Sequence, residues 1–416
     1  MHMDIFYSTS FYIHCLILTF YKVQYNYDFM IGGFFMKVYL DNAATSFPKP
    51  ASVTNDMLNY MTNLGCSPGR GSYHDAIESS KLVLHCRESL CKLFNFSKPE
   101  NVIFTSNITH SLNILLRGFL KPGDHVITSS MEHNSVLRPL QELKDSINID
   151  LTILQCDKNG LIPVEQFKKA IRPDTHLAIF THGSNIIGTI EPLELIGKIC
   201  SDNNIDFIVD SAQSAGAMEV NFEKLHCSAL AFTGHKSLLG PQGIGGFLIT
   251  DEFNSKCSTI FSGGTGSLSS ELHQPIFLPD KFESGTLNTP GIVGLSSGVN
   301  FILKEGVSAI EEKKHYLNLA LIDGLLNIDD VIFYGYKDIS LRTSAISIGF
   351  KNKDIAEVAY LLDSEFGIMV RTGLHCAPLA HKTIGTYPSG TLRLSPGYFN
   401  DIKDIKYTLD SINHIL

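Results

Sequence analysis

Ala229-Leu230-Ala231-Phe232-Thr233, followed at once by Gly234-His235-Lys236-Ser237, decides the fold. Five residues suited to a strand buried on both faces run straight into a polar turn that carries a lysine. Upstream the same pattern recurs. Asn101 to Thr105, His125 to Ser129, Leu151 to Leu154, His176 to Thr181 and Ile205 to Val209 are short β-prone runs separated by helical stretches. That order is expected of a parallel sheet with crossover helices. Ligands gather beyond the carboxyl ends of the strands in such sheets. Polar clusters follow five of these runs: Thr105-Ser106-Asn107, Ser129-Ser130-Met131-Glu132-His133, Thr181-His182-Gly183-Ser184-Asn185, Asp210-Ser211-Ala212-Gln213 and Thr233-Gly234-His235-Lys236. Gly243 to Thr250 reads as one further strand, and the Gly/Ser-rich stretch Ser262 to Ser270 as a mobile loop.

After Pro290-Gly291 the texture changes. A long amphipathic helix over about 292–327 leads into the strand Ala345 to Phe350, a helix around Asp354 to Phe366, and a strand pair near Ile368 to Arg371 and Thr391 to Leu394. The expected class is α/β, with a mainly parallel seven-stranded sheet in a large domain (36–290) and a smaller α+β C-terminal domain (291–416). The first segment of the large domain is allowed to pack on the small one.

With 416 residues, 44% of them apolar and 18% charged, the chain has enough apolar surface for two interdigitated domains and no composition suggesting disorder. A formal charge of -9 argues against a nucleic-acid partner, which calls for a basic face. The nine cysteines are odd in number, scattered and free of any C-x-x-C pair, so neither a disulfide framework nor a zinc ribbon is expected. A reducing cytoplasm fits them, and all except Cys376 read as small buried hydrophobes. In residues 1–35 the main apolar run, Phe11 to Tyr21, is too short to span a bilayer and is interrupted by His14. Residues 1–35 read as a non-native or disordered extension preceding a start at Met36, where a strand opens. A membrane or partner anchor is the rival reading, and no stable membrane association is expected.

Lys236 at a buried strand end is desolvated, which lowers an amine's pKa and frees it as a nucleophile. A surface lysine in a turn is the plain alternative. A phosphate-loop reading fails, since His235 stands where that motif needs glycine. Asp210 ends its strand, where a carboxylate either caps the next helix or faces a cation such as a protonated pyridine nitrogen. Gln213 and Lys236 nearby favour the second. Asn107-Ile108-Thr109-His110-Ser111 opens a helix after a strand and presents N–H groups to an anion, while serving equally as a simple cap. His133 is placed to stack on a flat ring or move protons. Cys376 lies beside His375 on a Gly/Pro-punctuated loop after Arg371, where cationic neighbours favour thiolate. Arg393 is suited to holding a carboxylate, or else to an inter-strand ion pair.

From Val38-Tyr39-Leu40-Asp41-Asn42-Ala43-Ala44-Thr45 to Arg393 the chain resembles the class V aminotransferase family of fold-type-I pyridoxal-phosphate (PLP) transferases. It is most similar to the cysteine desulfurases of the SufS-like and selenocysteine-lyase-like group. Five stretches in order carry the resemblance: Met131-Glu132-His133-Asn134-Ser135, Val209-Asp210-Ser211-Ala212-Gln213, Thr233-Gly234-His235-Lys236, Phe282 to Pro290, and Arg371-Thr372-Gly373-Leu374-His375-Cys376-Ala377-Pro378.

By that resemblance Lys236 carries the cofactor, Asp210 faces its ring nitrogen, and Gln213 and Asn185 lie near its phenolic oxygen. His133 stacks on the ring. Ile108, Thr109, Thr233 and His235 hold the phosphate, with Thr286 supplied from the adjacent subunit of a homodimer. Cys376 receives the sulfur of L-cysteine as a persulfide, Arg393 pairs with the substrate carboxylate, and Arg371, Asn42 and Ala43 line the substrate site. A sulfur-acceptor protein is implied, and no metal. Leu374, the loop Ala377 to Thr386 and the Gly263-Gly264-Thr265-Gly266-Ser267 stretch depart from the best-known members, so the reaction class transfers better than the acceptor. Selenocysteine lyase and a class V aminotransferase or epimerase are the alternatives within the fold. A non-catalytic sulfur carrier or scaffold is the alternative outside it.

Overall fold

A computed structural model describes residues 37–69 and 71–416, so the readings for residues 1–35 and the start of a strand at Met36 lie outside the described residues. The large sheet holds seven strands: β2 (Val102–Thr105), β3 (His125–Ser129), β4 (Asp150–Leu154), β5 (Thr175–Thr181), β6 (Asp206–Asp210), β7 (Ala229–Thr233) and β8 (Gly245–Ile249). Their spatial order is β2-β8-β7-β6-β5-β3-β4. β8 runs antiparallel to both its neighbours, while the pairs β7/β6, β6/β5, β5/β3 and β3/β4 are parallel. The mainly parallel α/β class stands, and the five polar clusters fall at one edge because the strands they follow share one direction.

Period-two alternation explains why these strands are apolar throughout. Val102, Phe104, Ala178, Phe180, Leu230 and Phe232 face one core. Ile103, Leu177, Ile179, Ala229 and Ala231 face the other. The first core is closed by α2 (His74–Phe94), α6 (Leu193–Asp202) and α8 (Thr289–Glu305), and the second by α3 (Ile108–Phe119) and α4 (Asn134–Ile147). Helices α1 (Ala51–Asn59), α5 (Val164–Ala170) and α7 (Asp251–Lys256) complete this part. Residues 257–288 carry no helix or strand.

A third core gathers the C-terminal elements. Helices α9 (Val307–Leu326), α10 (Ile355–Phe366), α11 (Pro378–Thr383) and α12 (Ile402–Ile415) accompany a four-stranded antiparallel sheet, ordered β12-β13-β10-β9, of Val331–Tyr334 (β9), Ile346–Phe350 (β10), Arg371–Gly373 (β12) and Thr391–Leu394 (β13). Two expectations need correction here. The helix over 292–327 is two helices, α8 and α9, because Gly306 adopts φ 88°, a left-handed value that ends the first. The strand expected over Ile368 to Arg371 is also divided. Ile368–Met369 (β11) pairs in parallel with Val38–Tyr39 (β1), whereas Arg371–Gly373 pairs with β13. The segment after residue 36 thereby joins the C-terminal core, placing Asp41, Asn42 and Ala43 over the large sheet's carboxyl edge. Among the described residues no helix is long and apolar enough to cross a membrane.

One buried ion pair fastens the irregular segment before α8. Arg87 of α2 donates from Nη2 to Glu283 Oε2 at 2.7 Å, and Phe104 N donates to Glu283 Oε1 at 2.7 Å. Arg87 is 5% exposed and Glu283 8%. Removing one charge strands the other away from water, which costs about 3–5 kcal/mol. Glu283→Gln is therefore expected to lower the unfolding free energy by about 3 kcal/mol, read as a lower urea midpoint at unchanged slope.

Candidate active site

At the carboxyl edge, Asp210 ends β6 and Lys236 follows β7 on the neighbouring strand. Asp210 is 2% exposed; burial raises its pKa, opposed by a backbone donation from Ala212 N at 2.9 Å and by the charge of Lys236. Lys236 keeps some open area toward the cleft, yet surrounding protein lowers its pKa to about 8. Desolvation dominates; Asp210 and Cys376 push the other way, and the Arg393 and Arg371 charges add to the lowering. Lys236, Asp210, Arg371, Arg393 and Cys376 thus form one electrostatic cluster.

His133 caps α4: its Nδ1 accepts from Ser135 N at 3.0 Å, with Ser135 Oγ at 2.8 Å. An acceptor Nδ1 puts the neutral ring's proton on Nε2. Burial, helped by Lys236, Arg371 and Arg138, lowers its pKa to about 4, so the ring is an oriented neutral plane. His235 is lowered to about 4 by burial, with Lys236 and Lys49 adding.

Thr233 Oγ1 and His235 Nδ1 are buried without a hydrogen-bond partner. Near-total satisfaction of buried polar atoms is the rule, so both are suited to a bound ligand. Ile108 and Thr109 open α3, where Asn107 caps by accepting from His110 N at 3.0 Å. Their position at a helix N-terminus favours an anion. Thr286 is exposed on the irregular segment before α8.

The C-terminal elements close over this edge. Arg393, 1% exposed on β13, donates from Nη2 to Asp41 Oδ1 at 2.6 Å and from Nη1 to Asn185 O at 2.9 Å, while its Nε has no partner. Of the two sequence readings of Arg393, the ion pair is present, with Asp41, and Nε remains a buried donor without a partner. Gln213 Nε2 donates to Ala43 O at 3.0 Å, Asn42 Nδ2 to Ser395 O at 3.1 Å, and Ala43 N to Ser395 Oγ at 3.0 Å.

The Cys376 loop is held from two sides. Asn185 Nδ2 donates to His375 O, and Asn134 N to Cys376 O, each at 2.8 Å. These bonds support two consecutive left-handed residues, His375 at φ 47° and Cys376 at φ 59°, a conformation that costs a non-glycine residue about 1 kcal/mol. At the loop's base Gly390 is required, because a Cβ there would lie 2.2 Å from Gly373 O.

Cys376 is exposed, whereas Cys86, Cys91, Cys156, Cys200, Cys227 and Cys257 are buried. Desolvation pushes the Cys86, Cys156, Cys200 and Cys257 thiols up to about 12. Cys66 is half-buried rather than buried as read, and Cys15 lies outside the described residues. His375 also differs from its reading as a cationic neighbour. Burial, with Arg393 nearby, lowers its pKa to about 3, and the ring stacks on His381 at 5.7 Å between centroids. The cation coupled to Cys376 is Lys236.

Sequence reasoning missed three contributors. Asp41 stood in a quoted stretch without a role. Lys49 carried no signal; its Nζ donates to Ser46 Oγ at 2.6 Å and His235 O at 2.7 Å, and burial lowers its pKa to about 8. Asn134 sat within a quoted motif, but its hold on Cys376 is a tertiary contact.

Comparison with known proteins agrees with this geometry. The family model described as Aminotransferase class-V matches residues 38–408. A protein of Methanothermobacter thermautotrophicus named "Probable cysteine desulfurase" is 31% identical over 382 residues, covering 91% of this chain and 94% of its own. Another, "Cysteine desulfurase IscS" of Clostridium botulinum, is 31% identical over 400 residues, with 91% and 94% covered. The solved apo structure of a cysteine desulfurase from Thermococcus onnurineus superposes with TM-score 0.86 at 32% identity, covering 91% of this chain and 94% of that one.

A lysine with a pKa near 8 reacts as a free amine well below the ordinary lysine range. In the cofactor-free protein, labelling of Lys236 by trinitrobenzenesulfonate, followed by peptide mass spectrometry, is expected to reach half its maximal rate near pH 8. Asp210→Asn removes the charge that holds the pKa up, so the midpoint moves to lower pH; a midpoint that rises contradicts the electrostatic cluster.

Proposed function

Since the chain belongs to the class-V aminotransferase family, we propose that it is a PLP-dependent cysteine desulfurase, converting L-cysteine to L-alanine and retaining the sulfur as a persulfide on Cys376. The observation that carries this reading is an exposed thiol, Cys376, within electrostatic reach of the desolvated Lys236 amine, which Arg371 and Arg393 also reach. An amine-transfer reaction needs no such thiol.

The residues fit PLP. Lys236 would hold the cofactor's aldehyde covalently, buried Asp210 would answer its ring nitrogen, neutral His133 would stack on its ring, and Gln213 and Asn185 would serve its phenolic oxygen. The orphaned Thr233 Oγ1 and His235 Nδ1, with Ile108 and Thr109 at the α3 N-terminus, would take the phosphate. When bound, PLP supplies an electron sink that acidifies the Cα–H of an attached amino acid.

Arg393 holds the substrate carboxylate through its remaining donor capacity, assisted by Arg371, and Asn42 and Ala43 wall the site. Lys236 Nζ, once released, takes the Cα proton and returns it. Cys376 Sγ attacks the substrate sulfur as thiolate; the carbon–sulfur bond breaks, and its electron pair stays with the three-carbon product that Lys236 helps protonate. The sulfur remains joined to Cys376 Sγ.

Thr286 is exposed on the segment before α8, which supports a homodimer in which it completes the neighbour's phosphate site. Scattered unpaired cysteines support a cytoplasmic setting. A downstream acceptor removes the sulfur.

Cys376→Ser is expected to bind PLP with an unchanged visible spectrum while alanine formation from cysteine falls by about two orders of magnitude or more, the weight of a covalent nucleophile; undiminished turnover removes Cys376 from the reaction. The shared site is tested by mixing inactive Lys236→Ala and Thr286→Ala proteins. Exchange of protomers restores one complete site per mixed dimer, and a fully active monomer in sedimentation refutes the arrangement.

A further inference from the structure

Outside the residues given to cofactor and substrate, two buried cations meet at the seam between the large sheet and the C-terminal elements. Arg342 is 0% exposed and Lys314, on α9, is 8% exposed. Arg342 donates from Nη1 to Tyr336 O at 2.5 Å and from Nη2 to Ala345 O at 2.7 Å, both neutral carbonyls, and has no ion pair among the described residues. Lys314 has neither a hydrogen bond nor an ion pair among them. Burial lowers its pKa to about 8, with Glu311 opposing, so the amine is charged at neutral pH. Folds rarely bury a charge without a partner, because desolvation then goes uncompensated.

One small cavity joins these groups. Lys314, Asn318, Arg342, Thr343 and Ser344 line it from α9 and the segment before β10, and Ile190, Ala217 and Met218 close it from the large domain. Its volume is about 10 Å³, the room of one water-sized guest. Three of the lining residues carry buried polar atoms without a partner: Arg342 Nε, Thr343 Oγ1 and Asn318 Oδ1. Buried polar atoms are satisfied in the great majority, so three around one such space point to a ligand. Arg342 Nε and the Thr343 hydroxyl are donors. Asn318 Nδ2 donates to Ser344 Oγ at 3.5 Å; the same amide turned end for end accepts from that hydroxyl and offers its NH2 instead.

Charge and size then select the guest. Glu311 is the one carboxylate on the cavity wall among the described residues, and it stands 3.9 Å from His315, which shares it. Two buried cations thus face one half-buried carboxylate, and the balance calls for an anion. A carboxylate, phosphate or sulfate brings at least three heavy atoms, more than a one-water space admits.

We propose that this cavity binds a single monatomic anion of chloride size, held by Lys314 Nζ, Arg342 Nε and the Thr343 hydroxyl. None of these residues takes part in the desulfurase chemistry, so the site stands or falls independently of that reading. Ile190 N already donates to Leu341 O at 3.0 Å and Thr343 N to Gly188 O at 2.8 Å across the same seam. The anion adds a charge-assisted clasp where the two domains join.

The test has a crystallographic arm and a solution arm, both on PLP-loaded protein. Crystals grown in sodium bromide, measured at the bromine absorption edge, are expected to show an anomalous peak between Arg342 Nε and Thr343 Oγ1. In solution the thermal midpoint is followed against chloride at fixed ionic strength, with gluconate as the balancing anion. The native midpoint is expected to rise by about 2 °C along a one-site saturation curve. Lys314→Met keeps the side chain's length and removes its charge; it abolishes the chloride response and leaves the protein in gluconate at least as stable as the native one. Thr343→Val, of the same shape without the hydroxyl, loses part of the response and serves where Lys314→Met does not fold. A native crystal without bromide at this place means that water satisfies these groups, and it overturns the proposal. A chloride response that both variants retain in full overturns it as well.

Discussion

Asp210, buried, and Lys236, only partly open, hold opposite charges at adjacent strand ends, and the rest of the site answers to that constraint. Each is desolvated, and each shift opposes its charged form: the carboxyl is pushed up and the amine down to about 8. For Lys236 the sign is clear. Below about pH 8 both folded and unfolded chains carry the proton, and the folded state bears the full desolvation cost. Between about 8 and the ordinary value of 10.5 the unfolded chain binds more protons, so folding gains stability as pH rises. The apo protein therefore holds a destabilised amine in readiness, and bonding that amine to a carbonyl compound removes the burden.

The histidines take the opposite course. His133 and His235 are lowered to about 4 and His375 to about 3, with burial the largest cause in each. The cleft consequently carries its positive charge on Lys236, Arg371 and Arg393. Neutral rings stay flat, oriented and without repulsion toward those cations. Asp41 offsets Arg393 in part, and the residual donor on Arg393 prevents the pair from closing on itself.

Much of this was legible because parallel strands repeat one statement. Apolar runs ending in polar clusters identify a sheet edge without any knowledge of pairing, and Asp210, His133 and Lys236 stood out at strand ends, their cofactor roles coming from the family resemblance. Direction was not legible for β8, since an apolar strand reads alike both ways; only its antiparallel register with β2 and β7 reveals it. The break at Gly306 was hidden because the apolar periodicity continues across it. Likewise β1 and β11 are two residues each and meet over more than three hundred positions, too short and too distant for any local pattern. The pairing of Asp41 with Arg393 spans 352 positions and belongs to the same class. Charge states of buried histidines depend on tertiary surroundings, which is why His375 looked cationic in sequence and is neutral in the fold.

Cys376 shows how placement separates reactive sulfur from inert sulfur in one chain. Six other described thiols are buried, and for those lodged in the cores desolvation favours the protonated form. Cys376 stays exposed on a loop that accepts two left-handed residues in succession, a cost met by the bonds from Asn185 and Asn134 and by the close approach at Gly390. Those bonds come from the loops after β5 and β3, the same edge that carries Asp210 and Lys236. The backbone strain is thus tied to the sheet that presents the amine, so thiol and amine keep a fixed relation. Relaxing the loop would let Cys376 move while leaving Lys236 in place, so the sulfur transfer proposed for the pair would be lost before the fold was.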